Sequence, residues 1–328
     1  MCRVIFVAFK VVKFYALCTT SVSLAEETTT SQMLSILIPV YNYAIESLLD
    51  QLHQEVIALS VSVEIIVRED GSTSFLELNK AAAERVEATY SIAKENQGRT
   101  KTRQWLAEQA QFNHLLFLDA DVLPKHPKFL QTYVNNFKIE EPDVMFGGIA
   151  YSEEKPEKDK TLRWTFGRVR EARPAAVRKT HPYYVISQNL WIKKSLFLTI
   201  NNFNREGYGL DNVFSYRLQE QTAQVVHLDN PVIHFGIETN QKFLQKSVKA
   251  LETLVFYEQS QQILNDFTRL QRGYTSLRKR GFIWFFLTVF RIFKSTIERN
   301  LLSSQPKMSW FDLYRLYHYA KLKRIKSA

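Results

Sequence analysis

An α/β fold, with helices on both faces of a mostly parallel sheet, is the expectation for this 328-residue chain. Three observations lead to it. Short apolar runs of strand length recur at residues 35–40, 61–67 and 114–118. Stretches with apolar residues at helical spacing separate them. Each strand-like run ends in a polar or acidic loop, which suits the ligand-binding edge of an open α/β sheet.

The elements follow in order. Residues 35–40 end in a turn at Tyr41-Asn42, and Leu48, Leu49, Leu52, Val56 and Leu59 then recur as a helix does. The β-branched run 61–67 ends at Glu69-Asp70-Gly71-Ser72. Residues 81–86 read as helix and 90–93 as a short strand. Residues 98–110 carry a helix with Trp105 and Leu106 on its apolar side, and 114–118 form a strand running into Asp119-Ala120-Asp121. Residues 129–137 are helical. Strand-like runs at 143–149 and 183–192 enclose a charged loop, 153–160, and a stretch holding Arg163, Trp164, Arg168 and Arg170 that suits a mobile loop. A helix begins near Asp211, short strands surround Asn230-Pro231, and 241–267 reads as one long closing helix.

The length admits one large domain with appendages, or two domains. The expected division is a leader at 1–33, a catalytic-type domain at 34–245 and a helical, basic and aromatic extension at 246–328. Lys and Arg number 43 against 33 Asp and Glu, a net charge of +10. After Asp266 there are fourteen Lys and Arg against Glu298 and Asp312 alone, so the excess resides in the tail. Its apolar run 282–290 is too short to cross a bilayer, which takes about 20 residues. Aromatics beside cations suit an interfacial helix on anionic lipid; a helical cap packed on the domain is the alternative. No nucleic-acid partner is expected, because no binding module accompanies the charge.

Cys2 and Cys18 are the only cysteines, so disulfides are not the framework and no CxxC metal signature exists. A reducing compartment follows, and a cytoplasmic location, with peripheral contact on the cytoplasmic face of a membrane. The interrupted apolar start admits three readings: a poor signal peptide, a membrane-associated leader, or sequence upstream of the true start at Met33. No secretion is expected.

Two carboxylates one residue apart at a strand end suit a divalent cation held against phosphate oxygens. Asp119 and Asp121 are so placed. Without GxGxxG after the first strand, or GxxxxGK[ST] anywhere, nicotinamide oxidoreductases and phosphate-cradling NTPases are disfavoured.

Taken together, residues 36–42, Glu69-Asp70-Gly71-Ser72, Asn96-Gln97-Gly98-Arg99 with Arg103, residues 118–121 and Gly207-Tyr208-Gly209-Leu210-Asp211 resemble glycosyltransferase family 2 of the bacterial surface-polysaccharide type. The resemblance runs from about residue 34 to 243. It implies the GT-A fold, a Rossmann-like sheet, and inverting transfer from a UDP-sugar to a glycan or lipid-linked acceptor with Mn2+ or Mg2+. Pro39, Tyr41 and Asn42 then line the nucleobase slot, and Asp70 contacts uracil or ribose, with Glu69 as a second acid. Gly98 permits close approach of the backbone, and Arg99 or Arg103 faces the nucleotide. Asp121 ligates the metal directly, Asp119 contacts ribose or a metal-bound water, and His234 is a further ligand.

Tyr183, Gln188 and Asn189 are candidates for shaping the sugar pocket. The general base lies in a Gly-x-Glu-Asp segment in the family, and here the segment reads Gly209-Leu210-Asp211-Asn212. Counting back from the helix makes Asp211 the base and leaves Leu210 in place of the glutamate. A register one residue later makes Asp211 the glutamate and Asn212 a defective base. That second register keeps a non-catalytic nucleotide-sugar-binding protein as the alternative.

Overall fold

The computed structural model describes residues 33–325; the apolar leader, with Cys2 and Cys18, lies outside them. β1 (Met33–Val40), α1 (Glu46–Ile57), β2 (Ser62–Glu69), α2 (Leu76–Arg85), β3 (Thr89–Ile92), α3 (Arg99–Gln109) and β4 (His114–Leu118) alternate as the periodicity predicts. There follow β5 (Val122–Pro124), α4 (Phe129–Glu140), β6 (Val144–Phe146) and β7 (Ile149–Ala150). The second half contains α5 (Thr161–Phe166), α6 (Ala175–Arg178), β8 (Asn189–Lys193), α7 (Lys194–Ile200), α8 (Asp211–Glu220), β9 (Val225–His227) and β10 (Val232–His234). Four helices close the chain: α9 (Asn240–Gln259), α10 (Arg269–Lys279), α11 (Ile283–Leu301) and α12 (Met308–Ile325).

Seven strands form one sheet in the order β3-β2-β1-β4-β8-β6-β9. β3, β2, β1 and β4 are parallel, and β8 inserts antiparallel between β4 and β6. Because β1, β2 and β4 run the same way, their polar C-terminal loops, acidic after β2 and β4, emerge on one edge. β1 is apolar along its length because both faces of the sheet are covered. One face packs Ile36, Ile38, Leu116 and Leu118 against α1, α2 and α4; the other packs Leu37, Leu115 and Phe117 against α3, α7 and α8. A second sheet, β5-β10-β7, stands beside it.

Three expectations need correction. The run 183–192 is strand only from Asn189; its start is taken up by a turn in which the Tyr184 N–H donates to the His181 carbonyl at 3.0 Å. The long helix expected over 241–267 breaks after Gln259. Gln261 has φ 58° there, and Thr268 restarts a helix through a capping box with Gln271. The arginine-rich stretch is helical rather than a loop: α5 runs into a π-helical turn, Gly167–Glu171. Arg163 is buried, where it pairs with Glu171 at 3.1 Å.

α9–α12 belong to the same compact unit as the sheet. Their core joins Leu251, Leu254, Phe290, Phe311 and Tyr319 to Leu210 and Val213 of the α8 start. Arg170 bonds Asp312 of α12 at 2.6 Å, and Thr161 Oγ1 donates to the Ser303 carbonyl at 2.8 Å.

A buried polar knot closes the β6–β9 edge. Arg178 donates to the Phe146 and Leu228 carbonyls and to His227 Nδ1 at 2.9 Å, while His227 Nε2 donates to the Pro182 carbonyl at 2.7 Å. His227 is therefore neutral. Burial, opposed by the Pro182 bond and reinforced by Arg178, pulls its pKa down to about 4 from 6.5. Between those values the unfolded chain holds a proton that the folded chain does not. Stability should therefore be intact above pH 6.5 and fall by up to about 3 kcal/mol as pH drops toward 4. Thermal unfolding across pH 7.5 to 4.5 checks this. A flat profile, with no contribution abolished by His227→Gln, would count against it.

Candidate active site

The site gathers at the sheet edge where β1, β2 and β4 end. Asn42, in the left-handed region at φ 50°, does not face outward as a base contact would. Its Oδ1 accepts from the backbone N–H groups of Thr73 and Ser74, at 2.7 and 3.1 Å, and its own N–H donates to Ser72 Oγ. It clamps the β1 loop to the β2 loop. Pro39 is within β1, and Tyr41 stands exposed beside the clamp. Glu69 is fully buried and takes bonds from Ser72, Asn79 and Tyr90, so this acid is structural.

Asp70 is buried, and its two oxygens accept from the N–H groups of Gln97 and Gly98 at 2.8 and 3.0 Å. This fixes the turn that starts α3, and each oxygen keeps a second lone pair. Gly98 has φ 94°, a backbone state that a side chain resists. Fixing that turn aims Arg99 and Arg103, in the first turns of α3, at the end of β4. Arg103 is buried against Asp119. Arg99 reaches Asp119 Oδ2 at 3.8 Å and Asp211 Oδ2 at 4.0 Å. Burial works against its charge, but Asp211 and Asp119, with Asp121 further off, outweigh that and strengthen its hold on its proton. One guanidinium thus lies among three carboxylates that are separated by up to 92 residues in the chain.

Asp121 faces a different partner. β10 pairs antiparallel with β5 so that His234 lies opposite Val122. That register brings His234 Nε2 within 3.1 Å of Asp121 Oδ2. Burial disfavours the Asp121 carboxylate, but the hydrogen bond and charge of His234 outweigh it and hold the group below the usual carboxylate range. His234 is buried, its Nδ1 has no hydrogen-bond partner, and Tyr151 packs edge-on against its ring at 5.5 Å. Behind Tyr151, its hydroxyl donates to Glu171, which Arg163 neutralises. Among the described residues no three His, Cys, Asp or Glu side chains converge at metal-binding distances. Asp121 and His234 form a pair, and Asp119 turns to the arginines.

A cleft of about 350 Å³ opens beside Arg99 and Arg103, and Glu206, Tyr208, Lys246 and Asp211 also line it. Asp211 is the first residue of α8, where a carboxylate complements the helix dipole. Ser187 Oγ donates to it at 3.4 Å. Asn212 instead folds its amide back on the Gly209 carbonyl. Leu210 is buried in the core built with α9–α12, which gives a packing reason for leucine at this position. Leu210→Glu should therefore destabilise the fold by about 2 kcal/mol or more, by burying an unpaired carboxylate. Urea unfolding measures this, and an unchanged midpoint would oppose the packing account.

Asn189 does not shape a sugar pocket. It is fully buried, accepts from Tyr133 OH, and donates to the Gly148 and Asn230 carbonyls. Gln188 holds the Asp119 N–H through its carbonyl, and Tyr183 packs on the core.

Glu206, Tyr151, Glu171 and Gly236 escaped the sequence reading. Glu206 Oε1 accepts the Lys101 N–H, and its Oε2 abuts Gly98. A Cβ at Gly236 would overlap Asp121 Oδ2, so a side chain there would push that carboxylate out of its place beside His234. The pattern His-x-Gly after a strand was the available signal for Gly236; the others carried none, since they act only through tertiary contact.

The profile of glycosyl transferase family 2 matches residues 35–200, half of the chain. A search of curated protein sequences found no match. Among solved structures, a mannosyltransferase from Pyrobaculum calidifontis, in complex with GDP-Man and Mn2+, is similar at TM-score 0.51 and 12% identity. The match covers 89% of this chain and 86% of that one. S. aureus TarS residues 1–349 align at 0.48 and 16%, covering 90% and 92%. Glucosyl-3-phosphoglycerate synthase from Mycobacterium tuberculosis aligns at 0.48 and 16%, covering 69% and 80%. The parallel sheet with its inserted antiparallel strand is the GT-A arrangement, and with the profile matching from β1 through β8 the chain belongs to glycosyltransferase family 2.

Proposed function

We propose that the protein is an inverting, metal-dependent transferase that moves a sugar from a UDP-sugar to a hydroxyl of a glycan or lipid-linked acceptor in polysaccharide synthesis. The observation that carries this reading is the meeting of Asp119 and Asp211 on Arg99, each within 4.0 Å of its guanidinium, beside a cleft, together with the Asp121–His234 pair. Mn2+ or Mg2+ fits that pair. Neighbouring ligands of an octahedral ion with bonds of about 2.1 Å lie roughly 3 Å apart, which is the separation of Asp121 Oδ2 and His234 Nε2. The Pyrobaculum mannosyltransferase holds GDP-Man with Mn2+, the kind of pairing this reading expects. Such a cation, when bound, offsets the charge that grows on a departing diphosphate.

The chain's own residues supply the rest. The loops clamped by Asn42 and Asp70 hold the nucleoside, with Pro39, Tyr41 and Gly98 at its edge. Arg103 orients Asp119 toward the ribose side. Arg99 faces the diphosphate. Asp211 takes the proton of the acceptor hydroxyl as its oxygen bonds to the anomeric carbon and the bond to diphosphate breaks on the opposite face. Stereochemistry inverts because attack and departure are in line. Release of UDP from UDP-sugars, measured with Mn2+ and after chelation, tests the reading. Release that needs both the ion and Asp211 supports it, whereas UDP binding with no transfer across a broad acceptor panel favours a binding protein.

A further inference from the structure

The run Phe282–Phe293 exposes more apolar surface than a solvated helix retains. Phe282 is 54% exposed, Trp284 70%, Phe285 67%, Ile292 71% and Phe293 55%. α11 is apolar on two sides. Leu287, Phe290, Ile297 and Leu301 pack inward, with Phe290 stacked on Tyr317 of α12 at 4.2 Å. Phe285 and Ile292, seven residues apart, share an outward face with Trp284. Among the described residues, no helix is long and apolar enough to cross a membrane.

The charge around this face is strongly positive. From residue 267 to 298 there are seven Lys and Arg against Glu298, which pairs with Lys294 at 3.5 Å. Arg278, Lys279 and Arg280 are exposed at the end of α10, Arg291 is exposed on α11 itself, and the Arg324 guanidinium lies over Trp284 at 5.2 Å. We propose that the outward face of α11, with the end of α10, is a docking surface for an anionic lipid bilayer. Trp284, Phe285 and Ile292 enter the interface, and the cations meet lipid headgroups.

The charge pattern decides between occupants. A second copy docked on the same face would bring an excess of six cations against an equal excess, since Glu298 answers only Lys294. A single-stranded nucleic acid would meet the cations and stack bases on Trp284 and Phe285, but it would leave the aliphatic Ile292 in water and find little to hydrogen-bond bases with. Across 282–293 the only uncharged polar side chain is Thr288, which donates back to the Trp284 carbonyl. Acyl chains and anionic headgroups satisfy both halves of the surface. The face is also fixed to the catalytic body, since Asp312 of α12 holds Arg170, and Phe311 stacks on Phe243 of α9. A docked molecule therefore presents its cleft at a set orientation. That this delivers the cleft to a lipid-anchored acceptor rests on the transferase reading; the docking does not.

Flotation of the full chain with phosphatidylglycerol–phosphatidylcholine vesicles, against phosphatidylcholine alone, tests the proposal. Binding is expected to the anionic vesicles and to weaken with salt. Each cation near the surface contributes about fivefold, so Arg278→Gln, Lys279→Gln and Arg280→Gln together should cost roughly a hundredfold. Trp284→Ser with Phe285→Ser and Ile292→Ser should also release the protein. These side chains are exposed, so the variants should keep the wild-type thermal stabilisation by UDP with Mn2+, which reports the cleft separately. If vesicles bind and UDP with Mn2+ gives no stabilisation, the docking stands and the transferase reading fails.

Absence of binding to either vesicle overturns the proposal. So does polyuridylate binding that the cation variant loses, with vesicles unbound. A lipid-independent dimer that the apolar variant dissolves would reassign the face to self-association.

Discussion

Asp211→Asn should lower the turnover of sugar transfer by roughly 10²–10⁴-fold, the usual contribution of a positioned general base. The donor should bind nearly as before. The asparagine keeps the shape of the side chain at the α8 start and can still accept from Ser187. It cannot take the acceptor proton. It also removes one of the two carboxylates within 4 Å of Arg99, while Asp119 remains to hold that guanidinium. Steady-state kinetics beside calorimetric titration of UDP-sugar would separate these effects. Turnover that survives would refute the assignment. Asn212→Asp serves as the companion: Asn212 turns its amide to the Gly209 carbonyl, so a carboxylate there should neither rescue the variant nor change the wild-type rate.

Asp121→Ala is the second large effect. At UDP and Mn2+ a hundredfold above their dissociation constant, ligand binding stabilises a native protein by about 2.7 kcal/mol. That gain should disappear in Asp121→Ala, and transfer with it, while far-UV dichroism without ligand stays unchanged. His234→Ala should act in the same direction, because the β5–β10 register presents the two side chains as one pair. If UDP with Mn2+ still stabilises both variants as it does the wild type, the metal is held elsewhere. Thermal shift titrations of the three proteins with UDP, each with and without Mn2+, give the answer.

The N-terminal half of the fold was legible because its signals are local. Apolar runs as long as a strand, alternating with helical periodicity, leave few arrangements besides a parallel sheet, and the carboxyl edge then follows from topology. The C-terminal half was harder. The break between α9 and α10 lies in a run whose apolar spacing continues, and only Thr268 and Gln271 mark the restart. The helix containing Arg163 looked like a loop because its stabilisation comes from a distance. Glu171 neutralises Arg163, and Phe166 and Phe243 line the guanidinium.

The motifs single out Asp70, Asp119, Asp121, His234 and Asp211 but assign them separate tasks. The structure engages Asp70 with the α3 turn and Asp119 with two arginines, and it withdraws Asn189 and Glu69 into structural work. Nothing in the local sequence distinguishes an acid that faces a cleft from one that satisfies buried donors.

From the sequence alone came the α/β class, the order of the elements, the acidic edge, the family resemblance and the basic, aromatic character of the tail. All are properties of neighbouring residues and of short-range periodicity. Only the tertiary structure decided which side chains meet. The pairing of β10 with β5 set Asp121 against His234, the turn held by Asp70 aimed Arg99 at both Asp119 and Asp211, and the docking of α9–α12 buried Leu210 while leaving Trp284 and Phe285 outside. Those outcomes depend on contacts between residues dozens to more than a hundred positions apart, and such contacts leave no mark on the spacing of either partner.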